Sequence, residues 1–267
     1  MEHLVLGLVL LARTQATTNP LQRRDLEPTK EMRLDMASTT FDNQYRGCSC
    51  MMEEELGDLS CTEFTNNIVY AKYWTQAAPN GGMGGVHVPQ MLALQREHLV
   101  ALLAYTLPGA LYHEFNGAMH ETGSSCREYL DKFHFKVLHF LMTQALSTVR
   151  NTQPSRCHHI YWGVRGIRIT AQHQDLLHFN QFTSTSLRNK SALDFDKDTF
   201  FSVYTCYSVP IRDFSFYPDE DEVLILPYED FDLTNITEHG DRACIQLHFR
   251  DTFSKYNCKW VKGHTPP

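Results

Sequence analysis

Four acids in a row, Asp219, Glu220, Asp221 and Glu222, stand directly before the apolar run Val223, Leu224, Ile225 and Leu226 in "FYPDEDEVLILPYEDF", residues 216–231. Adjacent like charges repel, so the run asks for a use. If 223–226 form a buried strand, 217–222 are the loop leading into it. Strand alternation would then point Glu220 and Glu222, two residues apart, the same way. Two carboxylates turned into one cleft can stabilise a cation or run acid–base chemistry; taken alone, the segment reads more simply as a solvated acidic turn. A second candidate is "NQFTSTSL", where alternation sets Ser184 and Ser186 on one face and Thr185 on the other. Inward hydroxyls there would hydrogen-bond a polar ligand or orient a carboxylate, although serine and threonine are also ordinary strand residues. The 14 histidines form no HExxH pattern. Neither "CHHIYW" nor His173 between Gln172 and Gln174 has the spacing of a metal site, so no metal is expected.

The elements that must hold these residues fall into two kinds. With 267 residues, 42% of them hydrophobic, the chain can build one large or two small cored domains. Twenty-four basic against 31 acidic residues give a net charge of −7, and no basic run offers itself to nucleic acid. Residues 20 to about 155 read mostly helical. "FDNQYRGCSCMMEEELGDL", "TEFTNNIVYAKYWTQAA", "PQMLALQREHLVALLAYTL" and "REYLDKFHFKVLHFLMTQALSTV" space their apolar residues by three and four. In the last, Phe133, Val137, Phe140, Leu141 and Ala145 line one face, and "NGGMGG" at 80–85 is a flexible loop. From 156 to 262 the chain turns to short β-branched or aromatic runs: "HIYWGVRGIRIT", "LLHFNQFTSTSL", "DTFFSVYTCYSV", "DEVLILPYEDFDLTNIT" and "CIQLHFR". A helical half followed by a strand half predicts an α+β fold, a single domain over 17–267.

The ends and the cysteines speak of export. "MEHLVLGLVLLARTQATTNP" has an apolar core over Leu4–Ala12 and then small residues. It is too short to span a bilayer and suits a secretory leader over 1–16, cut near Ala16. Arg23–Arg24 is a basic pair where further processing would fall. The polar final stretch "YNCKWVKGHTPP" carries no membrane tail or lipid-anchor signal, so a secreted, unanchored protein, monomeric and without a membrane span, is expected. Eight cysteines, at 48, 50, 61, 126, 157, 206, 244 and 258, are an even number without metal spacing, as disulfides in an exported chain require. Asn189 in "NKS" and Asn235 in "NIT" are glycosylation acceptor sequences.

Taken in order, "IYWGV", "QFTSTS" and "EDEVLI" resemble the R-S-E-x-E pattern of the arginine-specific mono-ADP-ribosyltransferases. The likeness to the vertebrate ecto-enzymes of that family runs through nearly the whole mature chain. It includes "LDMASTTFDNQYRGC" (34–48), "ALLAYT" (101–106), "FHFKVLHFL" (133–141), "DTFFSVYTC" (198–206), "YSVPIRDFSFYP" (207–218) and "FSKYNC" (253–258). The resemblance implies a helical half packed on a β-sandwich-like NAD-binding core, NAD⁺ as co-substrate without metal, and arginine-bearing target proteins as acceptors. It implies that Ser184 shapes the NAD site and orients the catalytic glutamate, Glu222. In such enzymes that glutamate hydrogen-bonds the nicotinamide ribose and stabilises the oxocarbenium-like transition state, where a carboxylate in a low-dielectric pocket acts far more strongly than in water. It implies that Glu220 holds the acceptor guanidinium, whose planar fork a carboxylate matches in bidentate fashion. Asp219 and Asp221 remain as loop solvation. Tyr105, Trp162, Gly163, Gln181 and Ser215 correspond to positions along the NAD site, and Cys48–Cys258 and Cys157–Cys206 to the common disulfides; partners for Cys50, Cys61, Cys126 and Cys244 do not follow from it.

One residue departs from the pattern. Trp162 stands where the family's motif carries an arginine that contacts NAD. Tryptophan can stack on a ring but offers no bidentate fork and no charge to a diphosphate. Arg165, three residues on, would point to the opposite face of a regular strand, and Arg168 would lie roughly 20 Å along it. Loss of one charged hydrogen bond to NAD would cost about 1.5–3 kcal/mol, about ten- to a hundredfold. Two alternatives to an arginine transferase therefore stand on the same fold: an NAD glycohydrolase with water as acceptor, and a binding protein whose catalysis Trp162 impairs. Asn180, where glycine often precedes "QF", is a smaller departure.

Overall fold

A computed structural model describes residues 30–33, 41–79, 94–123, 125–153, 157–164, 167–170, 176–179, 181–189, 199–239 and 242–258. The expected leader, the Arg23–Arg24 pair and the 80–85 loop lie outside the described residues. Among the described residues one short strand is followed by six helices: α1 Ser49–Asn66, α2 Ile68–Ala77, α3 Arg96–Thr106, α4 Ala110–Thr122, α5 Cys126–Lys132 and α6 Lys136–Thr152. The strands are β1 Lys30–Arg33, β2 His158–Val164, β3 Ile167–Thr170, β4 Leu176–His178, β5 Thr183–Ser186, β6 Thr199–Thr205, β7 Val209–Pro210, β8 Glu222–Ile225, β9 Glu229–His239 and β10 Arg242–Thr252. The α+β division is as expected.

Four details of the helical half differ from the periodicity. Residues 41–48 are not helical: Tyr45 at φ 56° and Gly47 at φ 87° break the run, and α1 begins only after Cys48. A gap at Asn67 separates α1 from α2, and the Asn67 side chain accepts from the Tyr70 N–H (2.8 Å) as an N-cap that starts a new helix. The stretch read as one helix over 127–149 is two, broken at 133–135. The break leaves the first N–H groups of α6 unbonded within the helix. Glu63 of α1 supplies their acceptor, taking the Lys136 N–H at 2.6 Å and the Val137 N–H at 3.1 Å on its two oxygens. Strand β1 lies in the half read as helical and pairs in parallel with β3.

The helices enclose one core, with Phe41, Phe115, Phe133, Phe140, Tyr105 and Phe182 wholly or almost wholly buried. Each such ring contributes about 1.5–3 kcal/mol by leaving water. Phe182, just before β5, stacks on Phe115 of α4 (centroids 5.8 Å), so the strand half is keyed into the helical core at that point. The main sheet runs β4-β9-β10-β6-β2-β5-β8-β7. Its pairings are antiparallel except β6 with β10. Among the described residues β2 and β5 meet through one residue pair, Tyr161 opposite Ser186. The sheet thus opens between a five-strand part and the β5-β8-β7 part. Ile160, Trp162, Val164, Phe201, Val223, Ile225 and Phe231 belong to a second apolar cluster, formed by the strands alone. Cys48 is joined to Cys258 and Cys157 to Cys206. Cys50, Cys61 and Cys126 carry exposed free thiols, and Cys244 a partly covered one.

Candidate active site

Glu222 opens β8 where the sheet divides. Its side chain is almost fully buried, with the residue 4% exposed. Ser184 of β5 donates to one carboxylate oxygen at 2.7 Å and Ser215 donates to the other at 3.0 Å. The antiparallel register explains the first bond: Ser184 lies opposite Leu224 and Ser186 opposite Glu222, so Ser184 is a diagonal same-face neighbour of the glutamate. Ser215 is held in turn. Its hydroxyl accepts from the Tyr217 N–H at 3.1 Å, and the next N–H, of Phe216, donates to the Thr106 hydroxyl at the end of α3 (3.3 Å). Both carboxylate oxygens are therefore aimed by hydroxyls whose own positions are fixed.

Thr185, on the other face of β5, donates to the Val223 carbonyl at 2.7 Å and locks β5 to β8. Ser186 donates to the Glu220 carbonyl at 2.8 Å. Glu220 itself does not lie on the strand. It ends a 3₁₀ turn, Pro218–Glu220, and is exposed; Asp221 follows in the left-handed conformation (φ 45°, ψ 49°). The alternation that set both glutamates on one face does not apply to a turn, so one carboxylate is buried and one is presented to solvent. Asp221 is not a solvated acid either: it pairs with Arg188 and Arg212.

The other residues singled out from the sequence are distributed around this point. Tyr105 is wholly buried and lies beneath β5. Its hydroxyl donates to the Phe182 carbonyl at 2.7 Å, a carbonyl that also accepts from Asn116 of α4 at 3.2 Å. Burial drives the Tyr105 pKa well above the usual tyrosine value, so the hydroxyl stays a donor. Gln181 is 3% exposed, and its side-chain oxygen lies 3.0 Å from His120 Nε2 at the end of α4. Burial lowers the His120 pKa and so favours a neutral ring, against the Gln181 bond and the Glu121 charge, which act the other way; Nε2–H donates to that oxygen. Gly163 lies within β2, opposite Phe200. Trp162 is buried, stacked on Phe201 (4.9 Å) and edge-on to Phe179 (5.6 Å). Tyr161 shares a cross-strand row with Ser186 and Glu222, so alternation turns Trp162 to the opposite face from Glu222. Asn189 is exposed, and Asn235 is half-buried in β9 opposite Gln246. Asn116, His120 and Arg188 lie outside every motif, and Thr106 and Arg212 fall inside "ALLAYT" and "YSVPIRDFSFYP" without a role read from the sequence. Only their tertiary partners mark them.

A sheet that opens beside an S-T-S strand, with an E-x-E turn delivering one buried glutamate to the opening, is the arrangement of an ADP-ribosyltransferase. A crystal structure of the eucaryotic mono-ADP-ribosyltransferase ART2.2 matches with a TM-score of 0.73 at 32% identity, covering 85% of this chain and 98% of that one. A mutant of the same enzyme, solved in complex with NAD, matches with a TM-score of 0.71. Residues 34–255 match the family model described as NAD:arginine ADP-ribosyltransferase. Among relatives, the erythroblast NAD(P)(+)–arginine ADP-ribosyltransferase of Gallus gallus is 45% identical over 260 residues, 97% of this chain and 86% of that protein. The GPI-linked NAD(P)(+)–arginine ADP-ribosyltransferase 1 of Homo sapiens is 40% identical over 276 residues, 98% and 84% of the two. The chain belongs to the NAD:arginine ADP-ribosyltransferase family, a family of enzymes for which NAD⁺ is the co-substrate.

Proposed function

We propose that this protein transfers ADP-ribose from NAD⁺ to arginine on target proteins, with Glu222 as the catalytic carboxylate and Glu220 as the acceptor-binding one. The observation that carries this reading is the pair of serine hydroxyls, Ser184 and Ser215, that fix both oxygens of a buried glutamate at the opening between β2 and β5. When the C1′–N bond of NAD⁺ breaks, its electron pair leaves with nicotinamide and positive charge develops on the ribose. A preorganised carboxylate there stabilises that charge, because its surroundings need not reorient during the step. A guanidinium nitrogen held at Glu220 then bonds to C1′ and sheds one proton to solvent. Tyr105 supports the strand bearing Ser184, and Gln181, aimed by His120, together with Gly163, lines the NAD side.

The test is transfer of labelled ADP-ribose to agmatine by the parent protein, Glu222→Ala, Glu220→Gln and Trp162→Arg. Activity in the parent that falls with Glu222→Ala supports the reading. Glu220→Gln is expected to lose transfer while NAD hydrolysis persists; arginine modification left untouched would remove the role given to Glu220. A second reading, a binding protein on the same fold, draws support from Trp162 and its ring contacts with Phe179 and Phe201. If the parent and Trp162→Arg are both inactive, the enzyme reading fails. Activity in Trp162→Arg alone marks the parent as an impaired enzyme.

Work outside the cell is supported by the apolar segment at Leu4–Ala12 and by the two disulfides. Release into the medium and a lipid anchor, as named for the human relative, are separated by treating expressing cells with a phosphatidylinositol-specific phospholipase.

A further inference from the structure

We infer that Asp221, the residue between the two glutamates, is a positioning residue that clamps the acceptor-facing turn through Arg188 and Arg212 and so sets the use of an arginine acceptor over water. This rests on the reading of Glu220 as the acceptor carboxylate. Asp221 Oδ2 pairs with Arg188 Nε, and Oδ1 lies 3.4 Å from Arg212 Nη1. The two arginines come from opposite sides of the turn. Arg188 follows the S-T-S strand, and Arg212 begins the 3₁₀ turn Arg212–Phe214 after β7.

Residues beside each arginine are tied to the backbone carbonyls of the same three acids. The Ser186 hydroxyl donates to the Glu220 carbonyl (2.8 Å), the Leu187 N–H to the Asp221 carbonyl (3.2 Å) and the Ile211 N–H to the Glu222 carbonyl (2.9 Å). Asp221 also takes a left-handed conformation, which aspartate and asparagine tolerate better than most residues. One side chain thus joins both walls at the point where the chain reverses between the exposed Glu220 and the buried Glu222. Its charge has a second effect. Without it, two half-exposed guanidinium groups would stand uncompensated on the turn and repel an incoming cation.

Asp221→Asn keeps the backbone preference and removes the charge; Asp221→Gly keeps the conformation and removes the side chain. Both are expected to raise KM for agmatine about fivefold and to lower the ratio of transfer to NAD hydrolysis by a similar factor, with KM for NAD within about twofold of the parent. Arg188→Ala should give a smaller change in the same direction and add little on top of Asp221→Asn. Hydrogen exchange at the Leu187 and Ile211 amides should quicken in the Asp221 variants. Unchanged exchange, or a ratio that stays at the parent value, overturns the inference. If the parent transfers nothing to agmatine yet exchange quickens, the clamp stands and the transferase reading falls.

Discussion

Two glutamates seven residues apart, Glu222 and Glu229, are both buried and both held by a pair of hydroxyls. Glu222 accepts from Ser184 and Ser215, Glu229 from Thr205 (2.6 Å) and Ser208 (2.8 Å). Their local chemistry is nearly the same, and their places in the fold are not. Glu229 also takes the Leu226 N–H at 3.1 Å, is fully buried, and closes the turn between β8 and β9. Burial raises its pKa to about 7, against the three hydrogen bonds that favour its charged form. Glu222 instead begins β8, in the cross-strand row that runs through Ser186 of β5 to Tyr161 of β2, beyond which β2 and β5 form no further pair among the described residues. A hydroxyl-clamped buried carboxylate is therefore a common structural device. Under the proposed function, the break in the sheet beside Glu222 is what separates its role from that of Glu229.

The comparison breaks most clearly by exchanging which glutamate is removed. Glu222→Ala is expected to lower transfer about 10²–10³-fold with little change in melting temperature. Glu229→Ala should leave activity per folded molecule near the parent while costing about 2–4 kcal/mol in a denaturant titration, because two buried hydroxyls and an N–H lose their acceptor. If both variants lost activity and kept stability, the distinction drawn between them would be wrong.

The next effect is in pH. Glu63 and Glu229 are both raised by burial from 4.5 to about 7. The folded state holds these protons in a range where the unfolded chain has released them. Each group therefore favours folding below pH 4.5, and that contribution is lost as pH rises towards 7, by about 3 kcal/mol per group. Urea titrations from pH 4.5 to 8 should show a shallower decline for Glu229→Gln, which cannot ionise, than for the parent; parallel curves would contradict it.

The smallest expected effect compares single hydroxyls. Ser215→Ala should reduce transfer about tenfold with stability nearly unchanged, whereas Thr205→Val should cost about 1–2 kcal/mol of stability and leave kcat alone. Measuring both variants by agmatine transfer and by urea midpoint separates a hydroxyl that aims a reacting group from one that satisfies a turn.

Much of this was legible along the chain, for identifiable reasons. Helical and strand periodicities divided the molecule correctly, since apolar residues recur at three and four in α6 and β6 alternates buried and half-buried residues. "STS" was read with its two serines on one face, and β5 bears that out, because alternation is a property of any regular strand. The same rule misled at Glu220, because a 3₁₀ turn and a left-handed aspartate intervene before the strand begins. The halves of "REYLDKFHFKVLHFLMTQALSTV" could not be told apart by spacing, as the apolar pattern continues through the break that Glu63 caps from 73 residues away.

By itself the sequence determined which groups are available and in what order: Ser184, Glu220 and Glu222, inside an α+β chain of this family. Only the tertiary structure decided their employment. It turned Trp162 into a ring cluster on the face away from Glu222, gave Asp221 two arginines to hold, and made Glu229 a sealed turn rather than a second site. The physical reason is distance along the chain. Local periodicity depends on neighbours a few residues apart, whereas the bonds that assign a role, Ser184 to Glu222 across 38 residues and Arg188 to Asp221 across 33, exist only once distant strands are in register.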